Sequence, residues 1–566
     1  MESSKTMIEK QHTIVIVGGV AGGASAATRA RRMNEHAKII LLEKDEYVSF
    51  ANCGLPYYIG DEITDRSRLL VATAAFLARR FRIDVRTRNE AIRIDRQRKT
   101  VEILDHAANR TYEQTYDKLV LSPGASPLIV PIDGVHATNV FTLRNVEDSD
   151  RIRAMVDSGN ATRACVVGAG FIGLEMVEQL ARRGLKVALA ELQSQVLPPF
   201  DPEMVQPIVN QLRGHDVELH LGDGIDHITT DSHGTATGVA LGSGTTIDAD
   251  LVLLGLGVRP NTRLASEARL EIGTSGGIAT NDHMQTSDPD IYAVGDAAEY
   301  CFGPTQQRQR VALAGPANRS GRLAGQHAAT DRGDTMAPVL GTAIVRVFDQ
   351  TVAMTGLSIK AAQAAGIAAE SATVVAANHA GYYPGATPLR LKLVFDPSDG
   401  NVLGAQAVGH QGVDKRIDVI ATAMAFGATV RDLAGLDLTY APPFGAAKDP
   451  VHLVAFVACN HLDDIDKVVP ADAVLDGCQV LDVRTTPEVE RCKLAGAENI
   501  INIPLDDLRE RIKELNPMAP TVVSCGVGLR AHNAARILRQ NGFDRVQVLS
   551  GGTTVRNDAM AAKGQR

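Results

Sequence analysis

Cys53 lies in Ser49-Phe-Ala-Asn-Cys53-Gly-Leu-Pro56, a segment with no second cysteine. A lone thiol cannot close an internal C-x-x-C disulfide, so its redox chemistry must run to an external sulfur, a distant thiol or a cofactor. Cys525 is a second candidate nucleophile in a different setting. Pro520-Thr-Val-Val-Ser524 reads as a strand, and Cys525-Gly-Val-Gly-Leu-Arg530 follows as a six-residue turn before a helix over 531–540. Backbone N–H groups wrapping inward there, with the helix dipole and Arg530, favour an anion: a persulfide on Cys525 or an anionic leaving group. Tyr382, in Tyr-Tyr-Pro-Gly385, and Tyr440, in Tyr-Ala-Pro-Pro-Phe444, sit on rigid turns. An ordinary phenol, with a pKa of about 10, is an acid at neutral pH and can protonate a departing thiolate. Each tyrosine has a plainer reading as a core or subunit-contact residue.

These groups need elements that hold them against a cofactor. Thr13-Ile-Val-Ile-Val is a buried parallel strand; Gly18, Gly19, Gly22 and Gly23 open a helix running to Arg32, and strand Lys38–Leu42 ends at Glu43. That order of strand, glycine turn, helix, strand and acid is the dinucleotide-binding order. Val20 occupies the middle-glycine position, so a tight structural turn is the alternative for this copy. The second copy is complete: Gly168-Ala-Gly170-Phe-Ile-Gly173 follows strand Ala164–Val167. Its glycines bring pyrophosphate against a helix N-terminus. Glu191 ends the next strand 23 residues after Gly168, where an acid accepts the ribose 2′-OH and disfavours a 2′-phosphate. NADH is therefore expected, with Arg182 and Arg183 facing solvent. Two fingerprints 150 residues apart suggest one resident flavin and one transient nicotinamide. The run Thr286–Asp296 reads as a polar turn feeding a short strand that ends in Gly-Asp296, a carboxylate suited to ribityl hydroxyls. The glycine turns at 121–124 and 253–257 mark passages between domains.

With 566 residues, 45% hydrophobic and 22% charged, the chain is long enough for about three or four domains. Its 51 glycines and 4% aromatics suit α/β turns and close nucleotide contacts. A formal net charge of −8 argues against a broad nucleic-acid surface. Thr13–Ala27 is apolar but short, glycine-rich and followed by arginines, so no membrane or export segment is expected, and a cytoplasmic location with reduced thiols is. The seven cysteines form no disulfide framework and show no metal-ligand spacing; no metal is assigned. Cys165 reads as a strand thiol and Cys301 as an ordinary loop or buried thiol. Beyond about residue 336 the pattern turns α+β, with strands at 343–348 and 389–395 and helices near 361–369 and 415–426. A last compact unit spans 470–560.

Together these motifs resemble the coenzyme A-disulfide reductase and NADH-dependent persulfide reductase group of the pyridine nucleotide-disulfide oxidoreductases, fused to a C-terminal rhodanese domain. The flavoenzyme resemblance covers about 12–455 and rests on Gly-Gly-Val-Ala-Gly-Gly23, Glu43-Lys-Asp, the Cys53 segment, the second fingerprint, Tyr-Ala-Val-Gly-Asp296 and Tyr440-Ala-Pro-Pro-Phe. Val20 is usual in this group. The rhodanese resemblance covers about 470–560, with Leu-Asp482-Val-Arg484 and the C-x-x-G-x-R of Cys525; Lys493 stands where many rhodaneses have a histidine.

The resemblance implies an α/β fold with two Rossmann-like domains, an α+β dimerisation domain and a rhodanese-like α/β domain. Its expected boundaries are 12–130 with 275–335 for FAD, 131–274 for NADH, 336–460 for dimerisation and 470–560 for rhodanese. FAD would lie along Gly18, Gly22, Gly23, Glu43, Lys44, Pro123, Gly124 and Asp296, and NADH along Gly168, Gly170, Gly173 and Glu191. The coenzyme A thiol would reach Cys53 past Ser49 and Asn52. Ser25, Arg29 and Arg32 would meet its nucleotide and phosphates, or else form a solvated helix face. In a homodimer the C-terminal flavoenzyme domain would complete the partner's site, bringing Tyr382, Tyr440 and Lys448. Released thiolate at Cys53 would be stabilised by charge transfer with the flavin and by local positive charge. Cys525 and Arg530 would handle sulfane sulfur, which favours reduction of persulfides or polysulfide with release of sulfide. Coenzyme A-disulfide reduction is the alternative, and a single-cysteine, water-forming NADH oxidase a further one.

Overall fold

Isoleucine and valine fill Ile14–Val17 without a polar face, so this strand can rest only inside a parallel sheet covered on both sides. In the computed structural model, which describes residues 12–564, it sits third of five parallel strands. Its neighbours are Lys38–Leu42 and Lys118–Leu121, with Ile291–Ala293 and Asp84–Arg86 at the edges. A second all-parallel sheet repeats the design, with Arg163–Val167 between Lys186–Glu191 and Leu251–Leu254. The chain leaves the first sheet through Ala125–Pro127 and returns through Val258–Pro260. These two passages pair antiparallel directly after the expected glycine turns, where Gly124 (φ 66°) and Gly257 (φ 97°) bend the chain.

The α+β region is a five-stranded antiparallel sheet carrying helices Val413–Ala425 and Pro450–Leu462. Its first strand stops at Val347, one residue before the expected end, because Phe348 turns with φ 54°. The helix expected over 361–369 spans Ile359–Ala364 and ends before Gly366, whose φ of 68° closes the turn.

The last unit is a parallel sheet of Lys467–Val469, Val546–Leu549, Thr521–Ser524, Gln479–Asp482 and Ile500–Asn502. It is fastened to the rest. Helix Gly552–Ala562 packs on Pro202–Gly214, Thr373 donates its N–H to Ser550 Oγ at 3.0 Å, and buried Arg390 pairs with Asp558 at 2.5 Å. Buried Lys392 ties Asp201 (2.8 Å) to Glu203 (2.5 Å) at the same junction.

One helix pair governs the first domain. Ala21–Met33 and Ala314–Thr330 approach backbone to backbone: a Cβ on Gly321 would lie 2.1 Å from the Gly22 carbonyl oxygen, and one on Gly325 2.2 Å from that of Ala26. Among the described residues no helix is long and apolar enough to cross a membrane.

Candidate active site

The two glycine turns are built alike. Gly18 and Gly168 have φ of 92° and 106°, and a Cβ on either would meet a carbonyl oxygen, Ser122 at 2.0 Å and Gly255 at 2.4 Å. In both copies the strand-end acid reaches back to the N–H after the first glycine: Glu43 accepts from Gly19 at 2.7 Å, and Glu191 from Ala169 at 2.7 Å. Each acid also accepts a second backbone N–H, from Asp45 and Gln193. Burial, the larger effect, nevertheless pushes the Glu43 carboxyl up against these bonds. Gly22 and Gly23 lie in the first turn of one helix, while Gly170 caps the other and Gly173 lies within it. Side-chain-free backbone opposite a strand-end carboxylate is the cradle that a dinucleotide needs, so the residues present fit FAD and NADH.

Arg182 is exposed, as expected, while Arg183 is half-buried, and both are engaged. Arg182 pairs with Glu178 at 2.9 Å; Arg183 donates to the Ile59 carbonyl at 2.9 Å and pairs with Asp157.

Gly124 (φ 66°) and Pro123 are pinned by Asn261, which donates its backbone N–H to one carbonyl and its side-chain amide to the other, both at 2.9 Å. Asp296 occupies the 3-10 turn Gly295–Ala297; burial raises its carboxyl, and Arg144 opposes that. Arg144 is a partner that sequence reasoning missed. Lys44 is exposed beside Glu43.

Cys53 is carried by the turn Asn52–Gly54, which runs into helix Leu55–Ile59. Ser49 anchors it: with φ 46°, Ser49 donates its N–H to the Gly19 carbonyl at 2.8 Å. The cysteine turn is thereby tied to the first glycine turn. Asn52 Oδ1 is buried with no hydrogen-bond partner among the described residues.

The charge around Cys53 differs from expectation. Local positive charge was expected to favour its thiolate. Instead the thiol is pushed up, first by partial burial and then by the Glu175 and Asp296 carboxylates. Burial likewise raises Glu175 to about 7. Glu175 accepts a hydrogen bond from the Tyr57 hydroxyl at 3.1 Å, and the Arg346 guanidinium lies 5.4 Å from the Tyr57 ring centre. Arg346 also pairs with buried Glu178 at 2.8 Å. Sequence reasoning missed Tyr57, Glu175 and Arg346; the available signal was an acid two residues after Gly173.

This arrangement sets a pH-dependent expectation. Glu175→Gln removes a negative charge facing Cys53, which lowers the thiol pKa and enlarges its thiolate fraction. Alkylation of reduced Cys53 by iodoacetamide at pH 8 is expected to accelerate about three- to tenfold. Wild-type Glu175 titrates at about 7, so the difference holds above that pH and shrinks as the pH falls through it. Equal rates at pH 8 would refute the coupling.

Ser25, Arg29 and Arg32 share one exposed stretch of the first fingerprint helix with groups of the helix packed on it. Ser25 Oγ donates to Asn318 at 2.6 Å, Arg29 Nε donates to Gln326 at 3.1 Å, and Arg32 lies over the Phe81 ring at 5.1 Å. Arg29 is held below its usual range by burial first, then by Arg322 and Arg32, so a third arginine adds to this face. Intervening Arg31 is buried and donates to the backbone carbonyls of Phe81, Glu35 and Ala37, a structural role.

Tyr382 and Tyr440, 58 residues apart, meet hydroxyl to hydroxyl at 2.9 Å on the outer surface of the antiparallel domain. The hydrogen bond to Tyr440 raises the Tyr382 phenol. Their loops are joined by Ala380 N–H donating to the Gly445 carbonyl at 2.9 Å. Lys448 is exposed nearby in sequence, beside buried Asp449. Among the described residues no hydrogen bond links Tyr382, Tyr440 or Lys448 to the Cys53 turn of the same chain.

At the far unit, Cys525 is buried and its Sγ accepts the Gly528 N–H at 3.1 Å. Helix Gly552–Ala562 donates the Thr553 and Thr554 N–H groups to the Cys525 and Gly526 carbonyls, at 2.8 and 3.2 Å. The following helix begins at Leu529, not 531, because Gly528 turns the chain with φ 110°. Arg530 is therefore in the first helical turn rather than in a six-residue loop. Besides a contact with Cys525, it forms a forked ion pair with Glu488 at 2.8 and 2.7 Å. Asp482 and Arg484 form a buried pair at 2.6 Å. Cys165 is buried in its strand, and Cys301 sits on a short strand against Gln306. No cluster of metal ligands occurs among the described residues.

Comparison with known proteins matches residues 12–321 to the pyridine nucleotide-disulphide oxidoreductases, 342–450 to the dimerisation domain of that family and 470–555 to the rhodanese-like domain. Coenzyme A disulfide reductase of Staphylococcus epidermidis is 37% identical over 445 residues, 79% of this chain and 99% of that protein. The solved structure of reduced Bacillus anthracis CoADR-RHD aligns with TM-score 0.93 and 43% identity over 98% of this chain and 99% of that one. A NAD-dependent persulfide reductase from A. fulgidus aligns with TM-score 0.88 and 37% identity over 96% and 99%. Water-forming NADH oxidase from Lactobacillus brevis aligns with TM-score 0.76 and 27% identity over 80% and 100%.

Proposed function

Since the chain belongs to the pyridine nucleotide-disulphide oxidoreductases and ends in a rhodanese-like domain, we propose that it uses NADH and FAD to reduce coenzyme A disulfide at Cys53. The observation that carries this reading is the exposed Cys53 thiol, tied through Ser49 to the first glycine turn, with no disulfide formed among the described cysteines. Bound FAD would supply hydride acceptance from NADH and two electrons to sulfur. The chain's own part is nucleophilic. The Cys53 thiolate attacks one sulfur of the substrate disulfide, forming a mixed disulfide and releasing one coenzyme A thiolate. Two electrons and a proton then return Cys53 to its thiolate and release the second coenzyme A as thiol.

Ser49 and Asn52 would orient the incoming sulfur, and Asn52 Oδ1 offers an unpaired acceptor for the pantetheine amide. Ser25, Arg29, Arg32 and Arg322 would meet the anionic nucleotide end. The dimerisation domain supports a homodimer, in which Tyr382 and Tyr440 of one subunit would protonate thiolate at the other's Cys53 and Lys448 would pair with a phosphate. Glu191, with Arg182 and Arg183 engaged elsewhere, favours NADH over NADPH.

A second reading is reduction of coenzyme A persulfide or polysulfide, and the Cys525 loop favours it. Sequence reasoning places this activity first. The weight moves to the disulfide because the Staphylococcus relatives match almost end to end over the part containing Cys53. The oxidase reading does not explain an appended sulfur-handling loop.

The test is anaerobic NADH oxidation with coenzyme A disulfide, coenzyme A persulfide and inorganic polysulfide side by side, with sulfide quantified. Fast disulfide turnover without comparable sulfide release supports the first reading. Faster persulfide turnover with stoichiometric sulfide favours the second. No turnover with any of the three, alongside oxygen-dependent NADH oxidation, would overturn both.

A further inference from the structure

Glu488 faces the Cys525 loop across the mouth of the rhodanese-like domain. Its two oxygens accept the two Arg530 N–H bonds, and Oε2 also accepts the Thr485 N–H (2.9 Å) and hydroxyl (2.8 Å). So held, first by Arg530, the carboxylate stays far below the usual range and charged. Arg530 therefore brings no net positive charge to the mouth.

The two buried arginines of this domain, Arg484 and Arg556, do not replace it. Arg484 is spent on Asp482 and the Cys492 carbonyl, and Arg556 on the carbonyls of Ala471, Ala473, Ala495 and Gly496. The loop Cys525-Gly-Val-Gly-Leu529 contains no lysine or arginine, and its outward side chains are apolar: Val527 is 41% exposed and Leu529 69%. A dianionic oxyanion is held best by backbone N–H groups joined to an unpaired cation, and a neutralised, apolar-rimmed mouth offers the N–H groups alone. An uncharged alkyl chain loses nothing there.

We propose that Glu488 is a specificity-determining residue: by neutralising Arg530 it limits Cys525 to sulfane-sulfur donors with an uncharged, pantetheine-like body and discriminates against thiosulfate. This rests on Cys525 being a sulfur-accepting nucleophile. In the transfer, the Cys525 thiolate attacks the outer sulfur of R–S–SH. The S–S bond of the donor breaks, a new S–S bond forms on Cys525, and R–S⁻ leaves; the proton stays on the transferred sulfur and no external oxidant or reductant enters. Thiosulfate would react likewise with sulfite leaving, but it must approach the Glu488 carboxylate with two negative charges.

The experiment follows sulfur loading on Cys525 of the reduced full-length protein by peptide mass mapping, with pantetheine persulfide and thiosulfate as donors. Wild-type protein is expected to load from the persulfide at least about tenfold faster than from thiosulfate. Glu488→Gln keeps an acceptor for Thr485 while freeing Arg530, and should narrow that ratio about tenfold. Val527→Lys adds a cation at an exposed position and should narrow it in the same direction, deciding the matter should Glu488→Gln unfold the domain. Equal wild-type rates with the two donors, or an unchanged ratio in the folded variants, would overturn the proposal. Failure of the underlying reading looks different: neither donor loads Cys525 in any of the three proteins, which overturns both.

Discussion

Cys53→Ser is expected to bring NADH-dependent turnover of coenzyme A disulfide to about a thousandth of the wild-type rate or below. Serine keeps the size of the side chain, so the turn Asn52–Gly54 and its Ser49 anchor should survive. The hydroxyl cannot form or release a mixed disulfide. Cys165 and Cys525 are buried, Cys301 lies on a strand against Gln306, and exposed Cys492 belongs to the rhodanese-like domain rather than to the flavoenzyme part. The glycine turns and their acids do not involve the sulfur, so flavin content and reduction of the bound flavin by NADH should persist. Stopped-flow flavin absorbance separates the two halves. Retained disulfide turnover in Cys53→Ser would move the chemistry to another thiol. Loss of flavin reduction as well would mean that the substitution damaged the cofactor site rather than the sulfur step.

Arg416→Ala should be the most destabilising change on the antiparallel domain. The guanidinium is buried and donates to Asp449 (2.7 and 3.2 Å) and to the carbonyls of Asn378 (2.7 Å) and Gly412 (3.1 Å). Truncation leaves a buried carboxylate and two carbonyls without these donors, a loss of about 3–5 kcal/mol. Lys415, 4.0 Å from Asp449, is too distant to replace them. Asn378 precedes the Tyr382 turn and Asp449 follows Lys448, so the same loss loosens the surface that displays both phenols. The expected outcome is an earlier thermal transition with weakened dimerisation, read by calorimetry and sedimentation. Adding Asp449→Asn to Arg416→Ala removes the stranded charge, keeps an oxygen to cap helix Pro450–Leu462 and should recover part of the stability. A double variant no more stable than Arg416→Ala alone would show that lost packing, not the unpaired charge, sets the effect.

The glycine turns, their terminal acids and the Cys53 segment were legible in the sequence because each is local: spacing within a few tens of residues carries the information. The repeated parallel sheets followed from apolar runs such as Ile14–Val17 and Ala164–Val167. What escaped was long-range charge. Glu175 meets Tyr57 across 118 residues, and Arg346 reaches Glu178 from another domain, so no local pattern announced that the thiol faces carboxylates. The partner of Arg530 escaped for the same reason: the motif shows the arginine, while the acid that pairs with it lies 42 residues earlier. The early helix start at Leu529 turned on the φ of Gly528, a conformation that glycine permits but does not dictate.

Gly321 and Gly325 invite a common engineering error. Mid-helix glycines are routine targets for thermostabilisation, since alanine in a compatible site gains about 0.4–1 kcal/mol by restricting the unfolded chain. Here the added methyl groups would occupy the space of the Gly22 and Ala26 carbonyl oxygens. The substitution would wedge the two helices apart and displace the first glycine turn, so a variant library built on helix propensity alone would fill these two positions with damaging changes.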